Sequence, residues 1–270
     1  MRNDAESGES GYVTVASARL FYCVEGPPDA PAILLSNSLG TDLRMWEPQA
    51  RRLATRFRVI RYDSRGHGRS DAPPGPYTLD QLSGDALALL DALDIAQAHI
   101  CGLSLGGMVA LSLAASHPER IERAVFANTA ARIGTEASWS ERIAAVRAGG
   151  MSGIRDAIVA RFLLESFRQS HPEVTRDVGA MLQATPPAGY ISACEALRDA
   201  DLRSVVGRIS APALIIAGAR DVSTPPAQAR ELHAAIAGSQ LVILDDASHL
   251  SNLEQPDAFN AHLLTFLSQP

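Results

Sequence analysis

The chain runs to 270 residues, 46% of them apolar, with 24 basic side chains against 30 acidic ones and a net charge of −6. That apolar content suits one large α/β domain or two small ones, and an acidic balance without a basic cluster points away from nucleic acid. Every basic residue is an arginine, which excludes Schiff-base catalysis, a P-loop lysine and a Ser-Lys dyad together.

Met1 to Gly11 is polar and acidic and lacks an apolar stretch, so it reads as a flexible leader and not a secretory signal. Tyr12–Val15 and Leu20–Val24 read as antiparallel strands joined by a short turn at Ser17. After the turn-rich Gly26-Pro27-Pro28-Asp29 comes Ala32-Ile33-Leu34-Leu35, a continuous apolar run of the kind buried on both faces of a parallel sheet. Runs of the same character follow at Phe57–Tyr62, Ala98–Cys101, Ala124–Ala127, Ala213–Ala217 and Leu241–Leu244. Amphipathic helical patterns separate them at Leu79–Leu93, Gly107–Ser116, Pro225–Ile236 and Pro256–Leu267. Strands alternating with helices give a mainly parallel sheet covered on both faces, with right-handed crossovers.

The alternation stops between about Arg132 and Asp199. Four helical patterns (139–148, 154–165, 173–184 and 189–197) follow one another there without a strand. Four helices exceed what a crossover needs, and they predict a helical cap over the C-terminal edge of the sheet. The expected organisation is a core from residues 1–131, a cap from 132–199 and the second part of the core from 200–270.

Cys23, Cys101 and Cys194 are widely spaced, odd in number and set in apolar surroundings, as reduced thiols are. No His-Glu-x-x-His or Cys-x-x-Cys occurs, which argues against a metal site, and no apolar stretch is long enough to span a bilayer. These features predict a soluble cytoplasmic protein that needs no cofactor and has no membrane partner.

Ser104 is the most informative residue. It sits in Gly102-Leu103-Ser104-Leu105-Gly106, directly after the strand-like Ala98–Cys101. Gly-x-Ser-x-Gly alone arises by chance in roughly one chain of this length in ten at average glycine usage. The strand before it, and Gly107-Met108-Val109-Ala110-Leu111 opening a helix after it, turn the pattern into a strand–turn–helix elbow. Such a turn strains the serine backbone and needs small neighbours on both sides. Ser104 is the candidate nucleophile.

A serine hydroxyl is a weak nucleophile at neutral pH and needs a base within hydrogen-bond reach, itself oriented by a carboxylate. Asp221 lies just beyond the run Ala213–Ala217, and His249 lies in the loop after Leu241–Leu244. Serine, then acid, then histidine is the chain order of doubly wound hydrolases. Asp221 also reads as a plain helix cap. Asp245 and Asp246 lie too near the last strand to back His249, and Asp245 or Glu254 would stand in only if Asp221 failed. His67, in a Gly-rich loop near the same sheet edge, reads first as structural. An oxyanion needs two backbone amides, and Leu105, opening the helix, and Leu39, in the loop after the third strand, supply the candidates.

Together these stretches resemble the α/β-hydrolase superfamily along essentially the whole chain. Asp63-Ser64-Arg65-Gly66-His67-Gly68-Arg69-Ser70 looks like the Asp-x-Arg-Gly-x-Gly-x-Ser loop that many members carry. The resemblance implies an α/β-hydrolase fold: a mainly parallel eight-stranded sheet with helices on both faces and a helical cap. Where many members begin the oxyanion loop with His-Gly, this chain has Asn37 and Ser38, which keeps the amide but withdraws any side-chain role carried over from that motif.

A narrower likeness joins Leu35–Trp46, Ser248–Pro256 and the cap opening Ala131–Thr135 with Trp139, which are similar to the 3-oxoadipate enol-lactonases. That likeness implies hydrolysis of a small anionic enol-lactone to 3-oxoadipate in bacterial aromatic catabolism. Ser104 would attack, His249 would act as base, Asp221 would orient it, and the Leu39 and Leu105 amides would hold the oxyanion. The substrate carboxylate needs a partner: Arg132 at the cap entrance is the first candidate, with Arg44 or Arg161 as alternatives. Trp139 either walls the pocket or anchors the cap. A general carboxylesterase and a cofactor-free perhydrolase of the same fold are the nearest rivals, with a non-turnover small-molecule receptor the remote one. Oligomeric state stays open, a homo-oligomer included.

Overall fold

Eight strands form one sheet in the computed structural model, which describes residues 8–269. They are β1 (Glu9–Val15), β2 (Ala18–Glu25), β3 (Ala32–Ser36), β4 (Arg58–Tyr62), β5 (Ala98–Leu103), β6 (Ile121–Ala127), β7 (Ala213–Gly218) and β8 (Gln240–Leu244). Their order across the sheet is β1-β2-β4-β3-β5-β6-β7-β8. β1 pairs antiparallel with β2, and β2 with β4; every pairing from β4 to β8 is parallel. The residues account for the difference. β1 leaves most of its positions open to solvent, while β3, β5 and β7 are buried throughout, as strands covered on both faces must be.

β1 begins earlier than the expected Tyr12, because Glu9, Ser10 and Gly11 pair in register with Val24, Cys23 and Tyr22. Backbone pairing at an edge asks little of the side chains, so polarity misled here. Residues 9–11 of the expected flexible leader are strand instead, and residues 1–7 lie outside the described residues.

β3 has β4 on one side and β5 on the other. The chain therefore leaves β3 in one direction and later returns on its opposite flank. Loops that follow such a pair part from each other and open a crevice beyond the strands' C-terminal ends, where open α/β sheets take their ligands. That crevice lies between the loop after β3 and the turn after β5.

The α-helices are α1 (Glu47–Leu53), α2 (Leu79–Ala92) and α3 (Leu105–Ser116) before β6. Next come α4 (Glu136–Gly149), α5 (Arg155–Phe162), α6 (Glu165–Ser170), α7 (Pro172–Ala184) and α8 (Pro187–Asp199) between β6 and β7. The last are α9 (Pro226–Ala235), α10 (Ser251–Glu254) and α11 (Pro256–Leu267). α3 is buried from Leu105 to Ala114 and packs against β3, β5 and β6. Five inserted helices stand where four patterns were read. The extra one, α6, buries none of its six residues and so carries no apolar stripe. α1 is likewise missing from the sequence patterns, since only Ala50 and Leu53 among its apolar residues are buried.

The loop Asp63–Ser70 acts as a brace. Arg65 is fully buried and pairs side-on with Asp85 of α2 (2.7 and 2.6 Å), while its remaining nitrogen donates to Ser17 Oγ at 2.8 Å. The Asp63 carboxylate accepts the Leu43 and Arg69 amides, each at 2.8 Å. His67 sits inside this brace with Nδ1 3.1 Å from the Arg65 carbonyl oxygen, and burial pulls its pKa down.

Candidate active site

β5 runs into α3 through Ser104, whose backbone is forced to φ 58° and ψ −113°. A side chain tolerates this conformation only where the neighbours leave room. A Cβ on Gly102 would strike the Gly106 carbonyl oxygen, and one on Gly106 would strike the Ser36 carbonyl oxygen. The glycines of the motif are thus steric necessities. Thr129 Oγ1 donates to the Ser104 carbonyl oxygen at 2.8 Å and fastens the turn from the far side.

Leu105 opens α3, where an amide has no partner within the helix and the dipole favours negative charge. Among the described residues neither the Leu39 nor the Leu105 amide donates a hydrogen bond to protein. The loop bearing Leu39 is held by its neighbours. Asn37 Nδ2 donates to the Tyr62 carbonyl oxygen at 2.7 Å, the Asn37 carbonyl accepts the Gly106 amide at 2.9 Å, and the Ser38 amide meets Met45 Sδ at 3.3 Å. Asn37 and Ser38 therefore serve as loop anchors.

Asp221 follows β7 and His249 follows β8, so both reach the sheet edge that carries Ser104. His249 Nδ1 lies 2.8 Å from Asp221 Oδ2, and both side chains are buried. An ionised carboxylate only accepts, so Nδ1 carries a proton toward Asp221, which in the neutral ring leaves the lone pair on Nε2. Asp221 Oδ2 also accepts from Thr224 Oγ1 (2.7 Å) and Asn128 Nδ2 (3.0 Å), while Oδ1 accepts the Ser223 and Thr224 amides at 2.7 and 3.0 Å. Burial by itself would raise this carboxyl. The His249 charge and the hydrogen bonds from His249, Asn128 and Thr224 overcome it and hold the group at about 2.

Glu254 is also buried, but it bonds backbone and not the imidazole: Oε1 accepts the Leu164 amide at 2.7 Å and Oε2 accepts the Ser248 amide. Burial pushes its carboxyl up to about 7 against the pull of those two amides. Asp245 and Asp246 are exposed, and Asp246 faces Arg220 at 3.9 Å. Asp221 alone among these acids meets His249.

Ser104 and His249 line one cavity of about 570 Å³, open mouth included, together with Leu39, Ile133, Trp139 and Phe162. The Phe162 ring lies against the His249 ring with centroids 4.8 Å apart. Among the described residues no hydrogen bond joins Ser104 Oγ to the imidazole. Two cations, Arg142 and Arg161, reach the same cavity.

Residues 31–256 match the family model of the α/β hydrolase fold. The chain belongs to the α/β-hydrolase fold family. This hydrolase is 44% identical over 248 residues to 3-oxoadipate enol-lactonase 2 of Acinetobacter baylyi, with 92% of each chain covered. It superposes on the crystal structure of the enol-lactonase from Burkholderia xenovorans LB400 with a TM-score of 0.95 at 47% identity, covering 96% of this chain and 100% of that one. A thermophilic esterase from Thermogutta terrifontis, solved with malate bound, gives a TM-score of 0.90 at 27% identity over 96% of this chain and 98% of that one. Likeness to these relatives makes the chain an enzyme that cleaves ester bonds.

The hydrolase distributes the candidate arginines unequally. Arg132 lies outside the Ser104 cavity: it lines a neighbouring one with Arg203, and its guanidinium is 3.5 Å from Asp201. Arg44 is tied to Asp42, two residues before it, at 2.6 Å. Arg161 does reach the cavity, while its Nε and Nη2 donate to Ser223 Oγ and the Val222 carbonyl oxygen, each at 3.0 Å. Trp139 lines the cavity, and its Nε1 donates to the Ile133 carbonyl oxygen at 2.6 Å. Arg142 was missed. It stands three residues after Trp139 on α4, a spacing that puts both on one helix face, and its guanidinium lies over the Trp139 ring, 5.8 Å from the centroid. Asn128 was missed as well, although it is the first polar residue after the buried end of β6.

Proposed function

We propose that this hydrolase opens the ring of 3-oxoadipate enol-lactone to give 3-oxoadipate, a step of bacterial aromatic catabolism, through a Ser104–His249–Asp221 triad. The observation that carries the reading is the His249–Asp221 hydrogen bond of 2.8 Å at the wall of the cavity where Ser104 and two arginines also stand. The likeness to the two enol-lactonases supports the substrate.

The chemistry follows from the positions. Substrate binding brings Ser104 Oγ within reach of His249 Nε2, which takes the hydroxyl proton as Oγ attacks the lactone carbonyl. Asp221 keeps the imidazole in the tautomer that can accept that proton and steadies the imidazolium that results. Charge moves onto the carbonyl oxygen, between the Leu39 and Leu105 amides, where preorganised donors are worth most. The tetrahedral species collapses by breaking the ring C–O bond. An enolate leaves far more readily than an alkoxide, and His249 returns its proton to it. Water then attacks the acyl-Ser104 ester, again with His249 as base, and releases the second carboxylate.

The substrate's free carboxylate meets the cationic side of the cavity. Arg142 fits this role better than Arg132: it shares the cavity with Ser104, whereas Arg132 faces Asp201 outside it. Arg142 and Arg161 together in the cavity also weigh against a neutral ester as the preferred substrate. Steady-state assays on synthetic enol-lactone beside an aryl acetate test the reading, with kcat/KM expected to favour the lactone by about a hundredfold or more. Faster turnover of the aryl acetate would leave a general carboxylesterase in its place.

A further inference from the structure

Phe162, Leu163 and Leu164 join α5 to α6 and pass directly over the loop that carries His249. The Phe162 carbonyl oxygen accepts both the His249 amide (3.2 Å) and the Leu250 amide (3.1 Å). Two residues on, the Leu164 amide donates to Glu254 Oε1 at 2.7 Å, and the other oxygen of that carboxylate takes the Ser248 amide. The Phe162 ring completes the strap by lying on the imidazole. Every amide from Ser248 to Leu250 is thereby engaged by this one arrangement. Its anchor is a buried carboxylate that the triad chemistry does not use.

We propose that Glu254 is a positioning residue for the base: it fastens the Phe162–Leu164 segment of the inserted helices to the His249 loop, so that the imidazole is placed by both. The proposal rests on the triad reading above. The choice of side chain follows from the geometry. Two backbone amides arrive from segments far apart in sequence, and only a carboxylate offers two acceptor oxygens and no donor. Glutamine can satisfy one amide but turns an N–H toward the other. Alanine leaves the buried Ser248 amide and the half-buried Leu164 amide without this partner, which loosens the strap at both ends. A base displaced by a fraction of its reach slows every acyl transfer it serves, whatever the acyl group.

The test compares Glu254→Ala and Glu254→Gln with the parent enzyme, each normalised to Ser104 sites titrated with a fluorophosphonate. The Ala variant is expected to lose about 10–100-fold in kcat on both enol-lactone and aryl acetate, with KM changing far less. The Gln variant should fall between parent and Ala, and its retained acceptor keeps the comparison open should Ala fail to fold. The low-field proton resonance of the His249–Asp221 bond should broaden in both. Parent-like kcat per titrated site with only a lowered melting temperature would overturn the proposal and leave Glu254 a structural staple. Loss on the aryl acetate in an enzyme that ignores the lactone would support this inference while removing the substrate assignment.

Discussion

Two regions meet at the cavity and hold their groups in different ways. Along the sheet edge, Ser104, Asp221 and His249 hang on short side chains and are buried; Asp221 accepts five hydrogen bonds, one of them from His249, and the Ser104 turn is held through its backbone. Across from them, the inserted helices present Arg142 and Arg161 on long side chains, with the Arg161 contacts at the surface. The first arrangement fixes the His249–Asp221 pair in hydrogen-bond contact. The second admits adjustment to the shape of a ligand. Chemistry should therefore be hard to alter from the edge without destroying it, and selectivity should be open to change from the helices.

The strongest way to test that division is to remove the nucleophile. Ser104→Ala should leave the melting temperature nearly unchanged and cut kcat by about 10⁴–10⁶-fold; retention of activity would move the chemistry elsewhere in the cavity. Asp221→Asn, next in size, should slow turnover by about 10³–10⁴-fold because the amide favours the wrong imidazole tautomer. On the helical side, Arg142→Ala should raise KM for the anionic lactone by about 10–100-fold, with little effect on a neutral aryl acetate. Arg132→Ala should change neither substrate's kinetics by more than about twofold, as expected of a solvent-exposed ion pair. Equal losses from the two arginine variants would erase the distinction between the cavities.

The two buried carboxylates beside His249 predict opposite pH trends. Asp221 is held at about 2, below its ordinary 3.8, so its share of stability is present above that ordinary value and is lost as pH falls toward the folded one. Glu254 is pushed up to about 7 from an ordinary 4.5, so its share is present below the ordinary value and is lost as pH rises through the folded one. Urea midpoints recorded across pH should lose the acid slope in Asp221→Asn and the neutral slope in Glu254→Gln. The smallest effect lies outside both regions. Gly84 is exposed inside α2 with open space around an added Cβ, and Gly84→Ala should stabilise the fold by about 0.5–1 kcal/mol without touching activity.

The core was legible because each parallel strand is an unbroken apolar run and the elbow is spelled out by glycines that backbone collisions demand. Ser104, Asp221 and His249 could be read from their places after strands. The inserted helices were harder. α6 has no buried face to reveal it, and the choice among arginines depends on which way long side chains turn, something no local pattern encodes. Arg142 had a usable signal in its spacing from Trp139. Asn128 had a weaker one in its place after β6, where its φ of 44° suits asparagine better than most residues. Glu254 had none, because its two amide donors come from loops that only the folded chain brings together.

α3 has a bearing on how this enzyme can be varied. From Leu105 to Ala114 it shows water no side, so labels, charges or crosslinking handles have nowhere to go on it. Diversity introduced in a laboratory library should be purged from that segment whatever substrate is selected for, and survivors should gather on the exposed faces of α4 and α5.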